Sequence, residues 1–203
     1  MGPNDVVTGR PFTAVEMTLR DRGILHGILA DVRSILVEVE EGTRVLEPYQ
    51  KLVWRVSGLT HRVLICDAER LRAHPGPCVV GFFGDRRPHV DAWPLEEANN
   101  EIVGEFSKYP GILAYCSVEL PERYWANLVL HDDPVDVQFW RTSEMHARAV
   151  ETLSPKHYFN VRIHNGVLTS GIFEKPQIVI RKTKYFDYTG PELWRAERLL
   201  GPA

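Results

Sequence analysis

Between residues 131 and 168 the hydrophobic pattern changes period from 3.6 to 2, and this switch constrains the fold more than any other feature of the chain. Phe139, Ser143, His146, Ala147 and Val150 fall on one face of a helix expected over 135–152, with Trp140 at its edge. From 157 to 168 the side chains alternate instead, with Phe159, Val161 and Ile163 on one side and Asn160, Arg162 and His164 on the other. A helix must therefore run directly into a strand. Each aims polar groups at what should be shared interior space, which predicts a lined cavity.

The preceding elements extend this unit. Residues 78–85 (CVVGFFGD) are a short apolar run with the length and residue types of a central strand. Residues 94–109 begin on Pro94 with acids in the first turn, and their stripe of Leu95, Asn99 (or Ala98), Ile102, Val103 and Phe106 predicts a helix ended by Pro110-Gly111. Residues 112–120 and 124–130 read as a hairpin joined at Pro121-Glu122-Arg123. The order is β-α-β-β-α-β, so the expected fold class is α+β, a ferredoxin-like split βαβ unit.

Upstream, residues 21–41 form a clear amphipathic helix with Leu25, Ile28, Leu29, Val32, Ile35, Leu36 and Val39 on one stripe and Gly42 as a stop. That stripe must be covered by the main domain or by a second copy. Residues 1–12 read as a loose lead-in. Residues 52–56 and 62–65 read as short strands around Ser57-Gly58, and 67–72 as a turn or two of helix. Pro75-Gly76-Pro77 is the best candidate boundary, dividing an N-terminal extension, 1–74, from a main domain, 75–203. In the tail, 178–182 and 185–188 are expected to add an edge strand, and 191–200 to form a short closing helix.

With 44% hydrophobic and 25% charged residues the composition is that of an ordinary globular protein. A net charge of −3 gives no electrostatic reason to expect nucleic acid or an anionic membrane as partner, and no apolar run approaches the roughly 20 residues of a membrane span. No secretion signal is visible at the N-terminus. Cys66, Cys78 and Cys116 are too few and too widely spaced for a disulfide framework or a zinc motif, so free buried thiols and a cytoplasmic location are expected. Phosphate loops, G-x-S-x-G elbows and H-E-x-x-H motifs do not occur, which argues against nucleotide-dependent enzymes, hydrolases of that type and zinc proteases.

His146 is the pivotal residue. An imidazole titrates near neutrality, which suits a general base or a ligand to metal or heme, and Ser143 lies one turn before it. Arg162 suits a clamp for an anionic group, unless its strand face looks to solvent or to a dimer partner. His164 and Asn160 share that face. Asn127, Asn99 and Trp140 are expected to complete the binding surface. Phe82, Phe83, Phe106, Tyr115, Trp125, Phe139, Trp140 and Phe159 suit stacking on a planar ligand, although an aromatic stripe at these spacings is more often simply core. His131-Asp132-Asp133 with His157 and His164 could be drawn as a two-His-one-carboxylate set, but Asp before a helix is an ordinary cap, so no metal site is expected.

The element order, with a second helix carrying Trp140, Ser143 and His146 and a short strand after it, resembles the dimeric α+β barrel superfamily over residues 78–168. That group includes the antibiotic-biosynthesis monooxygenases, the EthD-like proteins and the heme-degrading monooxygenases. The resemblance implies a homodimer or higher homo-oligomer and a cavity between helices and sheet. It implies an oxygenation of a planar small-molecule substrate without a dedicated cofactor, His146 serving as base and Arg162 holding charge. Two alternatives stand beside it, a ligand-binding or assembly module of the same fold and a heme-binding or heme-degrading protein.

Overall fold

A computed structural model of the chain describes residues 1–201. It is built on one antiparallel sheet of eight strands: β1 (Lys51–Val56), β2 (Leu59–Ile65), β3 (Cys78–Arg86), β4 (Ile112–Glu119), β5 (Tyr124–His131), β6 (Tyr158–Leu168), β7 (Ile178–Asp187) and β8 (Trp194–Leu199). Their order across the sheet is β1-β2-β4-β5-β3-β6-β7-β8. This corrects the expected ferredoxin-like fold class. The α+β character holds, but the sheet does not stop at four strands. The β1–β2 hairpin adds to β4 on one side, and β7 and β8 add to β6 on the other. Ser57 and Gly58, both at positive φ, make the tight turn of that first hairpin.

Helix α1 (Val15–Glu40) lies across one face of the sheet. It buries Leu25, Ile28, Leu29, Val32, Ile35 and Leu36 against Val63, Phe83, Leu113, Ala126 and Leu128, among others. Close approach is needed where the helix crosses β3. A Cβ built on Gly81 would stand 2.7 Å from a methyl of Leu25, so glycine there lets helix and strand touch. Helix α2 (Ala68–Ala73) is short and connects β2 to β3, with Pro75-Gly76-Pro77 completing the connection.

The opposite face is covered by α3 (Trp93–Gly104), α4 (Pro134–Trp140), α5 (Glu144–Arg148), a π turn at Ala149–Leu153 and α6 (Ser154–His157). The single helix expected over 135–152 is thus broken. Ser143 is extended and caps α5, its Oγ accepting the His146 backbone N–H at 3.1 Å, so the chain restarts a helix there. Trp140 joins Phe106, Ile102, Leu64 and Val129 in a second apolar cluster.

Both ends differ from expectation. Residues 191–200 give β8 instead of a helix, because alternation sends Arg198 inward to Tyr185 while Glu197 faces Lys184 across the ladder. The two expected pieces of edge strand are one strand, β7, with β8 outside it. The lead-in is docked: Arg198 Nη2 donates to the carbonyl oxygens of Asp5 and Thr13, and Phe12 packs on Tyr185 and Trp194. Among the described residues no helix is long and apolar enough to cross a membrane.

Candidate functional site

Alternation along the strands assigns each side chain to one face of the sheet, and the two faces have different fates. Beneath α1 the apolar side chains pack into a continuous cluster. Between the sheet and helices α3 to α6 there is a cavity of about 560 Å³. Its floor comes from alternate strand residues, including Val80, Phe82, Tyr115, Val129, Val161 and Phe186. Its roof includes Ile102, Val137, Trp140 and Ala149. The site is concave, mostly apolar and dotted with a few polar groups, as small-molecule sites are.

Two sets of polar groups on the wall bear on chemistry. Toward one side a chain of hydrogen bonds runs through the floor. The indole N–H of Trp125 donates to Asn127 Oδ1, the Asn127 amide donates to Tyr115 Oη at 3.0 Å, and the Tyr115 hydroxyl donates to Asn99 Oδ1 at 2.6 Å. This fixes both amides, and burial holds the Tyr115 phenol neutral by raising its pKa well above the ordinary range. Asn99, Asn127 and Trp140 line the cavity wall.

The second set is two imidazoles, His131 and His146. The His146 ring lies 5.1 Å from the Trp140 ring, and among the described residues no hydrogen bond reaches either of its nitrogens. Burial, reinforced by the positive charge of Arg141, pushes its pKa down to about 4. His131 is 1% exposed, and its Nδ1 has no hydrogen-bond partner among the described residues. Burial first, then Arg141 and His146, push it down to about 4 as well. Both rings are neutral at pH 7. Ser143 is buried behind them and is no part of the wall: besides capping α5 it donates to Glu105 Oε2 at 2.9 Å, and so positions His146.

Arg162, His164 and Asn160 are not in the cavity. Val161 and Ile163 face it, and the polar residues between them point the other way, under α1. There Asp21 of α1 receives Arg162 Nε at 2.6 Å and Nη2 at 3.0 Å, and His164 Nε2 lies 2.9 Å from the same carboxylate. Thr183 Oγ1 lies 2.8 Å from His164 Nδ1, which completes the ring's partners. Asn160 accepts from Arg162 and donates to Asp85 at 3.2 Å. Burial raises the Asp21 pKa, but the hydrogen bonds from His164 and Arg162 outweigh it and hold the carboxyl below its usual range. Burial also lowers the pKa of His164, so it is neutral and its Nε2–H donates to Asp21. This is a closed structural network, and Arg162 cannot hold charge on a ligand in the cavity. Sequence reasoning put the polar strand face toward the cavity because it assumed a single buried face.

His131, His157 and His164 do not converge with Asp132 or Asp133. His157 lies 2.8 Å from the Leu153 carbonyl oxygen through Nδ1, and His164 is on the far face. Asp132, Asp133 and Asp136 do cluster, but Asp133 caps α4 and Asp132 pairs with Arg70 and lies 3.3 Å from His74. Sequence reasoning missed Arg141, Lys184 and Tyr158 on the cavity wall. For His131 the signal was its place in the β5 alternation, two residues beyond Val129 and four beyond Asn127.

No family model matches the chain, and no curated protein matches it. Among solved structures, protein SO0527 from Shewanella oneidensis aligns with 45% of this chain and 91% of its own at 10% identity and a TM-score of 0.39. Agreement at that level carries nothing over to this chain, so the site is read from its own geometry.

Proposed function

We propose that the protein is a small-molecule enzyme that takes a planar, largely apolar organic molecule into this cavity, with His146 as the base that removes its acidic proton. The observation that carries the reading is the His146 ring itself: it is neutral, has no partner at either nitrogen among the described residues, and faces an aromatic-walled hollow. The proton moves to an imidazole nitrogen and leaves an electron-rich anion beside it. That anion raises the proton affinity of the ring, which offsets the low value set by burial. In the oxygenase-type reaction implied by the resemblance, the anion gives its electron pair to the co-substrate dioxygen as a C–O bond forms. Dioxygen is reduced to a peroxide that takes the proton back from the imidazolium, and the fixed amide of Asn127 lies on the wall to receive developing negative charge.

A second reading is storage or sensing of the same ligand without chemistry. It is favoured by the low proton affinity of His146, which makes the ring a weak base until an anion is present. The two separate in one experiment. Phenols and aryl acids are screened in aerated buffer for oxygen uptake, and any compound that turns over is repeated with His146→Ala. A loss of turnover of about 100-fold or more, with binding retained, supports the base role. Undiminished turnover removes it, and compounds that bind but never react support storage. A sharp Soret band on adding hemin would favour the heme reading instead. The expected homo-oligomer rests on the outer edges of β1 and β8, where Val53, Val56 and Leu199 are exposed. The three cysteines are free and buried, which supports a reducing compartment such as the cytoplasm.

A further inference from the structure

The imidazole end of the cavity has a charge that nothing in the fold answers. Arg141 sits at the C-terminus of α4, where a cation ordinarily does no more than complement the helix dipole. Here its side chain reaches the cavity wall. It shares that wall with His131, His146 and Lys184, and its positive charge lowers the proton affinity of all three. Its side-chain hydrogen bond is a weak one to Gln138 Oε1 at 3.3 Å, and among the described residues no carboxylate comes within ion-pairing distance. The other cations on the wall are engaged. Lys51 donates to Asn100, Arg62 pairs with Glu119 at 3.7 Å, and Lys184 pairs with Glu197 at 3.6 Å. The acids on the same wall, Glu96 and Glu151, make no ion pair with Arg141.

Two independent features thus point to one missing partner. A guanidinium faces the cavity without an anion, and a ring nitrogen of His131, at 1% exposure, is left without a hydrogen bond. An unpaired buried polar group costs about 1–3 kcal/mol, which a ligand oxygen accepting from the His131 ring would recover. Val80, Val129 and Trp140 surround the same end and suit a flat ring more than a polyol.

We propose that Arg141, His131 and His146 form an oxyanion subsite, and that the ligand of this cavity is an aryl carboxylate. The carboxylate seats against the Arg141 fork and accepts a hydrogen bond from the N–H of an imidazole, while the ring lies among Val80, Val129 and Trp140. This deepens the functional reading above and rests on it, since it needs the cavity to be a small-molecule site.

Two probes with the same ring separate the claims: 2-naphthoate and its neutral isostere 2-naphthamide, titrated calorimetrically into the full-length protein at pH 7.5. The expected result is that naphthoate binds at least about 10-fold tighter than naphthamide, the increment of one charge-assisted hydrogen-bonded pair. In Arg141→Gln that preference disappears while the amide affinity stays within about twofold, and Arg141→Lys restores part of it. Far-ultraviolet circular dichroism and a melting curve confirm that each variant is folded. Equal binding of the two probes by the wild type, or an undiminished preference in Arg141→Gln, overturns the subsite and leaves the cavity reading standing. Failure of both probes to bind overturns the two together.

Discussion

The two faces of the sheet hold buried polar side chains of the same chemical kinds and treat them in opposite ways. Under α1, Asp21, Arg162, His164 and Thr183 are at most 1% exposed, and they satisfy one another in a closed network. Across the strands, His131 is equally buried yet lacks a partner at Nδ1, and the neighbouring His146 ring and the Arg141 guanidinium look into open space. Burial alone is therefore no guide to function. What distinguishes the Asp21 network from the histidine pair is satisfaction. Paired groups hold the fold together, and unpaired ones leave room for a ligand.

The comparison can be broken most forcefully at Asp21. Asp21→Ala leaves a guanidinium buried without its carboxylate, and a stability loss of about 3–5 kcal/mol in urea unfolding is expected. A loss under about 1 kcal/mol would mean the network is not closed. Acidification acts on both faces. The folded-state pKa of His131 is about 4, below the ordinary value of 6.5, so the unfolded chain binds more protons between these values. Stability should thus be complete above pH 6.5 and fall as pH drops toward 4, by about 3 kcal/mol from His131 alone. His146, also held at about 4, and His164 contribute in the same direction, whereas the depressed carboxyl of Asp21 adds its loss only at lower pH. His131→Gln should lessen the slope above pH 4 without abolishing it, as urea midpoints measured across that range would show.

Smaller effects sharpen the picture. Gly81→Ala forces a methyl into Leu25, and overpacking of this kind costs about 1–3 kcal/mol, read as a lowered melting temperature. Ser143→Ala removes the cap of α5 at a cost of about 1 kcal/mol, and should also lower any turnover by releasing His146. His146→Ala should change stability by less than about 1 kcal/mol, because the ring has no partner to lose. A large loss there would assign His146 to the structural side of the comparison.

Much of the architecture was legible in the periodicities. The strand at 158–168, the helix stripe from Leu25 to Leu36 and the tight turn at Ser57-Gly58 follow from local pattern. What local pattern could not supply was which way the last strand faces. Apolar-in and polar-out is a rule for a sheet with one wet face, and here both faces are buried. The partner that holds Arg162 is Asp21, 141 residues away, and nothing near Arg162 in the chain announces it. The tail misled for a related reason. The charges of Arg195, Arg198 and Glu197 suit a solvated helix until one sees that Arg198 is buried against the N-terminal lead-in. At the cavity, Asn99 and Asn127 were readable because each sits on a regular helix or strand face, while Trp140 and His146 flank the break between α4 and α5 and Arg141 lies in it, where helical periodicity lapses.

The central claim is that the cavity-side histidines await an anion and the α1-side histidine does not. Proton NMR titration of the histidine rings, assigned with His131→Gln, His146→Gln and His164→Gln, measures this directly with and without saturating 2-naphthoate. The bound anion should raise the pKa values of His131 and His146 by about one unit or more from their depressed values, with the titration of His164 unmoved by the ligand. Titration curves for His131 and His146 that are unchanged by the bound ligand, or a response confined to His164, would contradict it.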